Sequence, residues 1–149
     1  MEDAVSKVKK TRNNVIWINK MLEKQQVIEL YSHADVFCCP SIYEPFGIIN
    51  IEAMACKTAV VASAVGGIKE VVVPGKTGIL VALEQQKEAP FEPVNPDKFS
   101  RDLADGINEL INDDALRNKM AENSRKRVED YFDWVAIAKQ VEELYKSLI

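Results

Sequence analysis

Over the first half of the chain, apolar residues gather in short runs divided by polar stretches; over the second half they recur on one face at helical spacing. Four short runs read as strands: Val15 to Ile18, Val36 to Pro40, Ala59 to Ser63, and Gly78 to Val81 after a Pro74-Gly75 turn. Between them the pattern predicts a helix over Lys24 to Ser32, using Val27, Leu30 and Tyr31, and another over Ile48 to Ala55. A short helix is expected within Gly66 to Val72, GGIKEVV. Parallel strands need crossover connections, and alternating strands and helices supply them. The expected architecture is therefore an α/β layered domain with a largely parallel sheet.

Residues 83–96, LEQQKEAPFEPVNP, are rich in Gln, Glu and Pro without periodicity and read as a long exposed connection. It separates a sheet-bearing region, 1–82, from helices of the same domain in 97–149. Asn95-Pro96 makes a cap and first-turn pair, followed by Phe99, Leu103, Ile107, Leu110 and Ile111 on one face. A more polar helix is expected at about Ala115 to Glu129. The last, about Trp134 to Leu148, carries Trp134, Ile137, Ala138, Val141, Leu144, Tyr145 and Leu148 as one stripe, expected to pack on the domain's own core.

At 149 residues, with 47% hydrophobic and 28% charged residues, the chain is the size of one globular domain. A net charge of −4 argues against broad attraction to nucleic acid or an anionic membrane. The Lys7, Lys9, Lys10, Arg12 cluster reads as a solvated segment, or as a contact for glucan or another domain. No apolar run is long enough for a membrane span and the N-terminus lacks a signal-peptide core, so a cytosolic location is expected. Cys38, Cys39 and Cys56 form no metal-ligand spacing and read as buried structural thiols; the single histidine, His33, reads as a surface residue at a helix end.

The candidate chemistry sits in EPFGIINIE, Glu44 to Glu52, where two carboxylates bracket a glycine between a strand and a helix. A helix N-terminus has unpartnered N–H groups and favours negative charge, so such a turn is a natural anion pocket. Glu44 falls in the turn and Glu52 in the helix's early turns, where side chains tilt back toward the N-terminus. A phosphate held by backbone and a polyhydroxylated body held by carboxylates together describe a nucleotide sugar. Each acid reads alternatively as a solvated Glu favourable to the helix dipole. Gly66-Gly67 opens a second helix N-terminus after a strand, or a plain turn.

EPFG, EAMA, VGGIKE and PGKTG, in this order within residues 40–81, resemble the donor-binding core of retaining glycosyltransferases of the GT-B fold. The likeness extends over nearly the whole chain and is nearest to bacterial glycogen synthases using ADP-glucose or UDP-glucose, or to their maltose-phosphate-forming relatives. The resemblance implies a partial Rossmann-like parallel sheet with flanking helices. It implies that Phe46, Gly47 and Ile48 approach the donor through backbone N–H groups. Glu44 would orient the sugar at the reacting centre, as the one catalytic candidate, and Glu52 would bind ribose. Gly66 and Gly67 would meet the phosphates, and Ile18, Asn19 and Met21 would border the base. The family requires neither metal nor cofactor, the donor being ADP-glucose or UDP-glucose and the acceptor a glucan.

Two residues depart from the family pattern: Lys57 stands in place of a glycine and Ala59 in place of a proline. A non-glycine residue at positive φ there would cost about 1 kcal/mol. The Arg and Lys that clamp the diphosphate in the family have no counterpart, so the chain is expected to begin near the end of the domain's second helix. Loss of the first strands would leave Val15 to Ile18 without neighbours and expose an edge of Val36 to Pro40. A missing N-terminal domain or a homodimer partner would then complete it, and the terminal stripe would dock partly on the former. Three readings follow: the donor-binding half of a glycogen-synthase-like enzyme, inactive alone; a non-catalytic nucleotide-sugar-binding or interaction module; or a relative making sucrose, trehalose or a glycolipid.

Overall fold

The computed structural model describes residues 2–148. Three parallel strands, β1 (Val36–Cys39), β2 (Ala59–Ser63) and β3 (Gly78–Val81), form a sheet in the order β1-β2-β3. Val36 pairs with Ala59 and Val60 with Gly78. Among the described residues there are seven helices: α1 (Glu2–Thr11), α2 (Lys24–His33), α3 (Ile48–Ala55), α4 (Ile68–Val71), α5 (Pro96–Asn112), α6 (Asp114–Tyr131) and α7 (Trp134–Ser147). The α/β class and parallel sheet expected from the sequence are the observed ones.

The unbroken apolar run of β2 has a geometric reason. Successive side chains of a strand point to opposite faces, and here both faces are covered. Val60 and Ala62 join Met54, Ile68, Val71 and Val72 in one core. Ala59 and Val61 join Phe99, Leu103, Leu110 and Met120 in the other, under α5. The C-terminal helices begin on side-chain caps: Asn95 accepts from Lys98 N at 2.9 Å, Asp113 from Leu116 N at 2.9 Å and Asp133 from Ala136 N at 2.7 Å. Residues 83–96 are largely exposed yet tied down. Gln85 bridges to Pro93, and its Nε2 donates to the carbonyls of Ile42 (2.6 Å) and Phe91 (2.8 Å).

Three expectations need correction. Val15 to Ile18 is not a strand; residues 15–19 have no regular structure. An extended segment becomes a strand only when a neighbour accepts its backbone hydrogen bonds, and β1, at the sheet's edge, pairs only with β2. The α7 stripe does not enter this domain's core: no residue of α7 is buried, and Trp134 is 85% exposed. Of the cysteines, only Cys39 is buried, whereas Cys38 and Cys56 are half-buried. Burial, and then the neighbouring Cys39, nonetheless push the Cys38 thiol above its ordinary pKa. His33 is exposed at the end of α2, its Nδ1 2.8 Å from the Glu29 carbonyl oxygen.

Lys57 adopts the left-handed conformation, φ 59°, directly after Cys56, the C-cap of α3. Its ammonium meets Glu122 at 2.9 Å, but both side chains are more than half exposed, so that pair adds little. Lys57→Gly is therefore expected to stabilise the fold by roughly 0.5–1 kcal/mol, read as a higher urea midpoint at unchanged slope. A lower midpoint would show that the ion pair outweighs the backbone strain.

Candidate functional site

Because the strands are parallel, the turns after β1 and β2 emerge at the same edge of the sheet, at its carboxyl end. They interlock backbone to backbone. Gly67 N donates to the Glu44 carbonyl at 3.0 Å. A Cβ on Gly66 would fall 1.9 Å from that carbonyl oxygen, and one on Gly67 would fall 2.5 Å from Phe46 Cα and 2.6 Å from Pro45 O. The Gly-Gly pair thus exists because two chains of backbone touch here, leaving no room for a side chain.

Gly47 caps α3 in the left-handed region, φ 101°. Its N–H donates to Glu44 Oε1 at 3.1 Å and its carbonyl accepts from Asn50 N at 2.9 Å. The Glu44 carboxylate therefore sits over the N-terminal end of α3, where the helix dipole favours it. Ile48 and Ile49, the first helical residues, have N–H groups with no intrahelical acceptor. Glu44, Phe46, Gly47, Ile48, Gly66 and Gly67 are thus brought into one turn pair.

Glu52 lies further along α3 and is exposed. Across from it on α2, Tyr31 packs edge-on against Phe37, ring centroids 5.3 Å apart. Burial, and then the Glu52 carboxylate, hold the Tyr31 phenol above its ordinary pKa. The Glu52 carboxylate thus stands on the side of α3 that faces the Tyr31 phenol. Ile18, Asn19 and Met21 lie in the irregular segment before α2. Ile18 lines an open recess with Leu22, Gln26, Leu30 and His33, and Asn19 lines another with Val5, Lys9 and Trp17. Met21 is 96% exposed. No residue of the turn pair lines either recess. A further recess, bounded by Ala55, Cys56, Lys57, Glu122 and Arg125, opens at the C-terminal end of α3. The dipole there repels anions, and Arg125 Nη1 already donates to Ala55 O at 2.5 Å.

Beneath the turn lies a polar cluster that motif reading passed over. Asn50 is fully buried; its Nδ2 is 3.7 Å from Cys39 Sγ, while its Oδ1 has no hydrogen-bond partner. Cys39 Sγ is 3.4 Å from Ser41 Oγ, and the buried Ser63 hydroxyl donates to the Ser41 carbonyl. The one available signal was a lone Asn within an apolar run, a polar residue on what must be a buried helix face.

Comparison with known proteins places these turns in a wider setting. A profile described as glycosyl transferases group 1 matches residues 3–90. An alpha-maltose-1-phosphate synthase of Mycolicibacterium smegmatis is 39% identical over 148 residues, covering 99% of this chain and 36% of that protein. Among solved structures, a sucrose-phosphate synthase from Thermosynechococcus elongatus superposes with a TM-score of 0.77 at 35% identity, over 99% of this chain and 33% of its own. Anabaena HepE, solved in complex with UDP-glucose, gives a TM-score of 0.68 at 29% identity, over 98% of this chain and 37% of its own. The chain spans about a third of the length of these relatives. No helix among the described residues is long and apolar enough to cross a membrane.

Proposed function

The chain belongs to the group 1 glycosyl transferases, with the α/β fold of a GT-B C-terminal domain, and from that premise we propose that it holds the nucleotide-sugar donor of a retaining glucosyltransferase. The donor is ADP-glucose or UDP-glucose, and the acceptor of the complete enzyme an α-1,4-glucan. The observation that carries this reading is the interlocked turn pair at the carboxyl end of the sheet, which presents the N-terminal end of α3 beside Gly67. Fixed N–H dipoles there favour the diphosphate as negative charge develops on it, and they need no reorganisation during the reaction. Glu52 takes the ribose hydroxyls and Glu44 the sugar. The Glu44 carboxylate first has to exchange its bond to Gly47 N–H for bonds to the ligand, or share it with them.

The test is a titration of the isotope-labelled chain with ADP-glucose and then UDP-glucose, read by amide NMR. Resonances of Phe46, Gly47, Glu52 and Gly67 are expected to move; a dispersed spectrum that ignores both ligands would sink the reading. Glu52→Gln is expected to weaken UDP-glucose binding roughly tenfold by calorimetry, the size of one charge-assisted hydrogen bond. Glucose 1-phosphate, which has no ribose, should bind both forms alike. Equal loss for the two ligands would place Glu52 elsewhere than on the ribose.

A further inference from the structure

We propose that Phe132, at the corner between α6 and α7, is a positioning residue of the donor site and acts through Phe46; the proposal rests on the donor-site reading above. The Phe46 and Phe132 rings meet edge to face, centroids 6.2 Å apart and planes at 75°. Phe46 immediately precedes Gly47, so this contact ties the turn after β1 to a residue far along the chain.

Phe132 is itself held. The Arg127 guanidinium lies 5.5 Å from its ring centroid and 5.0 Å from that of Tyr131. The same guanidinium donates from Nε to Val71 O at 2.7 Å and from Nη2 to Glu70 O at 2.6 Å. Those carbonyls end α4, whose other end is Gly67, bonded to Glu44 O. The contacts therefore close on themselves: Phe46 to Phe132, Phe132 to Arg127, Arg127 to the end of α4, α4 back to Gly67, and Gly67 to the turn that bears Phe46. Phe132 N and Asp133 N both donate to Val128 O, at 2.9 and 3.0 Å, which fixes the corner on α6. Without the Phe132 ring, the turn after β1 keeps its bond to Gly67 but loses the support on its Phe46 side. The first N–H groups of α3 then lose their fixed aim.

The experiment compares Phe132→Leu, Phe132→Tyr, Phe46→Leu and the double variant Phe46→Leu/Phe132→Leu with the unmodified chain. In the absence of ligand, Phe132→Leu is expected to displace the Gly47 and Gly67 amide resonances, and Phe132→Tyr to restore them. Phe132→Leu and Phe46→Leu should each weaken UDP-glucose binding roughly threefold to tenfold, the worth of one aromatic pair. The double variant should bind no worse than either single one. Tyr131→Leu, which removes the other ring under Arg127, should leave binding within twofold. A folded Phe132→Leu chain with unmoved Gly47 and Gly67 amides, or binding losses that add in the double variant, would overturn the proposal. Failure of the unmodified chain to bind either nucleotide sugar would instead overturn the donor reading, and this proposal with it.

Discussion

Gly66→Ala is expected to lower the unfolding free energy by roughly 3 kcal/mol and to remove measurable binding of UDP-glucose. Two effects add. Gly66 sits at φ 45°, where a side chain is strained, and its Cβ would lie 1.9 Å from the Glu44 carbonyl oxygen. That oxygen belongs to backbone and accepts the Gly67 N–H, so it cannot swing aside as a flexible side chain would. The turns must separate, and with them the two helix N-termini. Gly75→Ala supplies the comparison: φ there is 70° but nothing lies within 4 Å of the added carbon. It should cost only the strain, about 1 kcal/mol, with binding unchanged. Urea denaturation of the two variants separates clash from strain, and equal losses would mean that the turns are not in contact in solution.

Ile68→Ala is expected to cost about 3 kcal/mol, and Ile68→Val about 1 kcal/mol. Ile68 is fully buried at the first position of α4, and its Cγ1 stands 3.4 Å from where a Gly47 Cβ would lie. The side chain therefore fills the space beneath the start of α3, and truncating it opens a cavity directly under the turn. Weaker donor binding should accompany the stability loss in Ile68→Ala and be much smaller in Ile68→Val. A loss below about 1 kcal/mol for Ile68→Ala would show that the site collapses to fill the gap.

How far the sequence discloses this depends on the range of the interactions concerned. The bounds of β2, β3 and α3 coincide with those expected, because apolar runs closed by turn residues are local signals. Val15 to Ile18 carries the same kind of run and is not a strand, since a strand also needs a partner that periodicity does not encode. The α7 stripe correctly announces a helix but not what its apolar face meets. At the site, EPFG and GGIKE are legible as two anion-favouring helix starts. Their interlock is not, because the clash that makes Gly66 and Gly67 necessary is with residues some twenty positions earlier. Phe132 has no local signal at all; its significance comes from a ring on another element.

The register of the sheet also bears on how quickly the molecule can form. Val36 pairs with Ala59 and Val60 with Gly78, so each ladder closes a loop of about twenty residues before its first hydrogen bond is made. The sheet contains no hairpin to seed it. The helices can begin to form within microseconds, whereas β2, the centre of both cores, becomes secure only when two crossovers have closed around it. The turn pair that bears the candidate site joins the loops after β1 and β2, so it is among the late structures to assemble and among those that open when either crossover fails.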